Sequence, residues 1–298
     1  MQLPHVSAGF LISLGIATAF EILFPLALAL YVSRRLHVRW RYFWYGVAVF
    51  AAVQLFTRVP LVYVLNNVLA SQLKSSQTFL WTWLLILALT AGLFEEVGRY
   101  FGYRIFMSKE EKTWPKGVMY GIGHGGLESI VLVGLLSSAL SLLNILVIQS
   151  LDITKLPAAQ QTALRDQFAM IAAQPGWVPL LGGYERLCAI AFHIAMSIVV
   201  LQVFRRGRIR WLWYAVGLHF LFDFGAVALA TGLPQLTTGL DSTTIALIVE
   251  GWATLFAALS LWLIFALRDD RSAPLGENAA SVSMPLPDDA ADTRPLAG

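Results

Sequence analysis

Seven long apolar runs, separated by short polar stretches, constrain this chain more than any other feature. An α-helix rises about 1.5 Å per residue, so roughly 20 apolar residues cross a hydrocarbon core about 30 Å thick. Lipid offers no partner to backbone N–H and C=O groups, so runs of this length must satisfy them as helices. The runs predict spans at 6–32, 42–66, 78–107, 116–148, 178–204, 211–232 and 243–267. Charged residues are only 13% of the 298, against about a quarter in a soluble domain. The expected fold class is all-α, a polytopic membrane helix bundle of about seven transmembrane helices. The expected domains are a transmembrane domain over 1–268, with core motifs near 80–230, and a disordered cytoplasmic tail over 269–298.

The loops set an orientation. Basic residues cluster after spans one (Arg34, Arg35, Arg39, Arg41), three (Lys109, Lys112, Lys116), five (Arg205, Arg206, Arg208, Arg210) and seven (Arg268, Arg271). The intervening loops hold only Lys74, Lys155 and Arg165. Basic loops mark the cytoplasmic side, which predicts the N-terminus outside and the C-terminus in the cytoplasm. No basic residue precedes the first run, so it lacks the n-region of a signal peptide and is expected to be retained. The same clustering explains the net charge of +3 by topology, with no nucleic acid implied. Between spans four and five, Leu164, Phe168 and Ile171 recur at helical spacing, predicting a short amphipathic helix on the membrane surface. Cys188 is the single cysteine, so a disulfide within the chain is excluded.

Against this apolar background, ionisable residues inside the spans are costly and point to function. Glu95 and Glu96 are adjacent, and Arg99 follows at i+4 and i+3, within reach of either along the helix. His124 and Glu128 are four apart, as are His219 and Asp223, while Arg186 and His193 are seven apart. Each pair therefore shares one helical face. Counted from the nearest basic loop residue, Glu96, His124, His193 and His219 lie roughly 12–20 Å deep. Four helices of alternating direction thus bring polar groups to one layer. Arg186 and Glu185 are expected to be structural, and Arg58 to snorkel toward the outer side. Glu21 and Glu250 have no partner in sequence.

Carboxylates beside imidazoles suit hydrolysis. A glutamate can take a proton from water while histidines hold that water or stabilise an oxyanion. The catalytic set read this way is Glu95, Glu96, His124, His193 and His219, supported by Arg99, Glu128, Arg186 and Asp223. The same residues admit zinc, with His124, His193 and His219 as ligands. Glu128 and Asp223 then orient His124 and His219 or act directly. A proton-coupled transporter is the alternative of another class, because carboxylate–histidine relays also mark carriers. The chain shows no repeated halves of the kind carriers often have.

The segments "EEVGR", "YGIGHGGLESI", "ERLCAIAFH" and "HFLFD", in this order, resemble the YhfC family of intramembrane proteases, itself similar to the CAAX-processing and PrsW-type proteases. The resemblance covers roughly residues 80–230. It implies that Glu95 and Glu96 are the paired glutamates and Arg99 the basic residue after them. Tyr120 and His124 match an aromatic-x-x-x-His motif, Glu128 the glutamate of the PrsW version, and His219 and Asp223 a His-x-x-x-Asn/Asp motif. CAAX proteases usually place three residues between the glutamate pair and the arginine, where this chain has Val97 and Gly98. The family is described both as glutamic-type and as metal-dependent, so both mechanisms stay open. The implied activity is an intramembrane endopeptidase of a bacterial plasma membrane. Its partners would be the lipid bilayer and a membrane protein or peptide substrate, cut near the cytoplasmic half.

Overall fold

Each apolar run becomes a helix in the computed structural model, which describes residues 3–268. The helices are α1 Ala8–Leu36, α2 Arg41–Val68, α3 Gln77–Phe106, α4 Trp114–Ser150, α5 Ala158–Ala172, α6 Leu180–Arg206, α7 Arg210–Leu236 and α8 Ser242–Ala266. All but α5 are long and apolar enough to cross a membrane, and no strand occurs among the described residues. The span limits read from the sequence hold to within four residues. Local chemistry sets the ends. Ser7, Ser76 and Asp241 cap α1, α3 and α8 by accepting from the backbone N–H of Phe10, Phe79 and Thr244. α6 stops at Gly207, whose φ of 63° glycine adopts without strain. The expected tail, 269–298, lies outside the described residues.

α6 is the axis of the bundle. Within its most apolar window 83% of the residues are buried, against 11–28% for the other six spans. A helix that is apolar all round can be wrapped in this way. α1, α3, α4, α7 and α8 all pack on it. The remaining spans keep large side chains such as Ile12, Phe56, Leu85 and Leu255 on the outer surface, where lipid meets them.

Glycine decides how close the helices come. A Cβ on Gly46 would collide with the Tyr120 carbonyl oxygen, and one on Gly123 with the Phe43 carbonyl. α2 and α4 therefore touch backbone to backbone near the basic loops. Beyond this contact both helices widen into π-helical turns, over Ala51–Arg58 in α2 and Glu128–Ala139 in α4. Such turns break the regular ladder and are frequent at functional sites. Past them the helices part: α2 meets α3 where Trp83 Nε1 donates to Asn66 Oδ1 at 2.8 Å, and α4 continues against α1.

α5 is the short helix expected between spans four and five, and part of its apolar face rests on protein. Phe168 is buried with Val6, Phe10, Leu14 and Ile145, and Ile171 packs against the same cluster. The long α4, at 37 residues, reaches beyond a single membrane thickness and supplies Ile145 to that contact.

Candidate active site

Five helices carry the site. α3 brings Glu95, Glu96 and Arg99; α4 His124 and Glu128; α6 Arg186 and His193; α7 His219 and Asp223; and α2 adds Gln54. Small residues let them meet. A Cβ on Gly125 would press within 2.8 Å of the His193 ring, and one on Gly92 would lie 3.2 Å from the His219 Cβ. Glu95, Glu96, Arg99, His124, His193 and His219 are all at least 96% buried. The single layer expected from helix rise is thus a single cluster.

Glu95 is its hub. Its Oε2 lies 3.0 Å from His124 Nε2, 3.4 Å from Arg99 Nη2 and 3.7 Å from His193 Nδ1. Its Oε1 accepts from Gln54 Nε2 at 2.5 Å and faces His219 Nε2 at 3.8 Å. Glu96 stands behind it, with Oε1 paired to Arg99 Nη1 and 2.6 Å from His219 Nδ1. Arg99 therefore bridges both carboxylates, as the i+3 and i+4 spacing predicts.

A second line of groups fixes the first. Arg99 Nη2 donates to His193 Nδ1 at 2.7 Å. A guanidinium has no acceptor, so Nδ1 is the lone-pair nitrogen. The other ring nitrogen, Nε2, lies 2.7 Å from Glu128 Oε2. Glu128 Oε1 accepts from Arg186, which also holds Glu185 at 2.5 Å. The structural role expected of Arg186 and Glu185 fits this chain of contacts. Glu128 orients His193 instead of the expected His124, because α4 widens at Glu128 and the carboxylate meets α6. Asp223 is 3.7 Å from His219 and makes no hydrogen bond to it, while Glu96 does.

Two residues depart from the sequence reading. Gln54 escaped it, because only ionisable residues were weighed. Its signal was an amide alone in "FAAVQLF". Arg58 does not snorkel. Its Nη2 donates to the Leu87 carbonyl at 2.6 Å and its Nη1 to Gln54 Oε1 at 3.4 Å.

A cavity of about 350 Å³ adjoins the cluster. Glu95, Glu128, His193, His219, Asp223 and Gln54 are on its wall. Glu96 and His124 are not.

The expected metal set was His124, His193 and His219. The group whose ligand atoms lie within 4.8 Å of one another is instead Glu95, His124 and His193. His219 turns Nδ1 to Glu96. A Glu–His–His set, two of whose members line a cavity, would suit zinc. Charge also suits a cation: Glu95 and Glu96 face one guanidinium, Arg99, and an uncompensated buried charge is costly. His124 Nδ1 is buried without a hydrogen bond. The residues fit a metal ion provided Arg99 Nη2 withdraws from His193 Nδ1.

The fold and site define a polytopic membrane protein with a carboxylate–histidine centre buried between its helices. Residues 20–242 match the family model described as "YhfC intramembrane metalloprotease". A relative described as "Uncharacterized membrane protein YhfC" from Bacillus subtilis (strain 168) is 33% identical over 268 residues. That match covers 88% of this chain and 98% of the relative. The chain belongs to the YhfC family. No solved structure matches it.

Proposed function

We propose that this protein is a metal-dependent intramembrane endopeptidase. It hydrolyses a peptide bond of a membrane-embedded or juxtamembrane substrate at the cavity beside Glu95. The observation that carries this reading is the convergence of Glu95, His124 and His193 inside an apolar bundle, with Glu95 and His193 on the wall of a cavity.

These three residues would hold a zinc ion, which when bound lowers the pKa of a coordinated water to about 7 and polarises a carbonyl. The chain's own groups do the rest. Gln54 holds Glu95 Oε1, which leaves Oε2 facing both histidines. Glu128 takes the Nε2 side of His193 and so presents Nδ1 to the site. His219 and Asp223 lie on the cavity wall, where they meet substrate and stabilise or accept developing charge. Arg99 and Glu96 form the buried ion pair that anchors the cluster from behind. Glu95, Glu96, Arg99 and the three histidines are buried, and the lower effective dielectric there strengthens each of these interactions.

A second reading is direct activation of water by glutamate, with no metal. One observation favours it: Arg99 Nη2 already stands between Glu95 Oε2 and His193 Nδ1, where a cation would bind. Glu96 lies off the cavity wall, so the base in this reading is Glu95.

Metal content of protein purified in detergent without chelators separates the two readings. About one zinc per chain is expected. It should be lost in His124→Ala and His193→Ala and kept in His219→Ala. Metal-free protein that still cleaves a quenched fluorescent membrane peptide, and stops doing so as Glu95→Gln, would move the assignment to direct activation. Proton-coupled uptake in liposomes without any cleavage would move it to a carrier.

A further inference from the structure

The cavity has a direction. On α3 its wall residues precede Glu95 (Leu84, Leu87, Ala91), and on α6 they precede His193 (Glu185, Arg186, Ala189). Both helices run toward basic loops. On α4 and α7, which run away from basic loops, the wall residues come after the histidines: Glu128 and Leu132, and Asp223, Ala226 and Val227. On α2 they are Gln54, Arg58 and Val59, beyond the contact at Gly46. Every helix gives the same answer: the space extends from the Glu95 layer away from the basic loops.

On the other side of that layer the space between α4 and α6 is filled, and the apolar groove of about 440 Å³ between α2 and α3 there, lined by Val49, Val53, Gly98 and Gly102, does not reach Glu95 or the histidines. Tyr103 and Tyr120 stack with ring centroids 4.6 Å apart. With Phe43, Met119, Ile122 and Leu201 they are at most 2% exposed. The wall of the open side carries Arg58, Glu128, Glu185, Arg186 and Asp223, the polar groups that mark a pathway inside a membrane. The outer parts of α2 and α4 flank this space and pack on different neighbours, α3 and α1.

We infer that the site is reached from the membrane face opposite the basic loops, between the outer parts of α2 and α4. Its substrates are then membrane proteins cleaved in a segment lying in that leaflet. With basic loops cytoplasmic, this is the extracytoplasmic leaflet, in contrast to the cytoplasmic half expected from depth alone. The substrate class rests on the peptidase reading; the direction of access does not.

Thiol accessibility tests the direction without a substrate. In a Cys188→Ser background, single cysteines are placed on the wall (Leu132→Cys, Ala226→Cys) and in the filled half (Ala215→Cys). Side references are placed at two exposed positions, Ser75→Cys at the end of the short helix Ala70–Ser75 and Ser108→Cys in the turn after α3. A membrane-impermeant charged thiol reagent is applied to intact spheroplasts and to inverted vesicles. Both wall cysteines should be labelled in the preparation that labels Ser75→Cys, and labelling should be lost at Ala215→Cys. Wall labelling together with Ser108→Cys, or none in either preparation while denatured protein labels fully, overturns the inference. Correct labelling in a protein that cleaves nothing would sink the peptidase reading and leave the access route. Cleavage by a protein labelled from the Ser108 side would do the reverse.

Discussion

The two halves of this bundle solve opposite problems with the same helices. Near the basic loops, α2 and α4 meet through Gly46 and Gly123, and buried aromatic and aliphatic side chains pack around that contact. Past the Glu95 layer the same two helices widen, part, and enclose a charged cavity. The filled half resists deformation because interiors are close-packed. It holds carboxylates and imidazoles at fixed spacing, while the open half leaves a cavity beside them. Close packing on one side of the layer thus accompanies open space on the other.

Substitutions can break or sharpen this contrast. Glu95→Gln keeps the shape of the hub but removes its charge. It should lower peptidase activity by about a thousandfold, read with a quenched membrane peptide, and leave the fold intact by circular dichroism. Retained activity would remove Glu95 from the chemistry. Gly123→Val strikes the filled half, where the new side chain meets the Phe43 backbone with nothing flexible to yield. A stability loss of about 3 kcal/mol is expected in detergent unfolding, felt by the whole bundle. Unchanged stability would show that the two helices are free to part there as well.

Glu128→Gln lies in the open half and should act through His193. Metal affinity is expected to fall about 10–100-fold with little change in unfolding. A large stability loss with normal metal binding would make Glu128 structural. The smallest effect belongs to a site outside both halves. Glu110 accepts from the Tyr42 hydroxyl at 2.6 Å and from Arg41 at 2.9 Å, with Lys116 at 3.6 Å. The Tyr42 hydroxyl first, then the two cations, hold its carboxyl below its ordinary value of 4.5. A depressed carboxyl stabilises the fold above the unfolded value and loses that contribution as pH falls through the folded one. Glu110→Gln should therefore cost less than about 1 kcal/mol at pH 7, and that difference should begin to shrink as pH falls past 4.5 and disappear once pH is below the depressed folded value. A pH-independent difference would trace it to packing.

Much of this molecule could be read before any coordinates. Helix rise and hydrocarbon thickness determine the seven spans, because apolar length is a local property of the chain. The same rise places Glu96, His124, His193 and His219 at one depth, and i+3 and i+4 spacing pairs Arg99 with both glutamates. Other features depend on which helices are neighbours, and no local pattern encodes that. The sequence offered three histidines for a metal. The structure turns His219 to Glu96 and brings Glu95 to His124 and His193, because the rotation of α3 and α7 about their axes is set chiefly by their close packing on each other at Gly92. Gln54 and Arg58 joined the site only when α2 widened beside α3. Depth was legible because it is counted along one helix. The face each side chain presents, and the side on which the cavity opens, were decided by how close glycine lets two helices come.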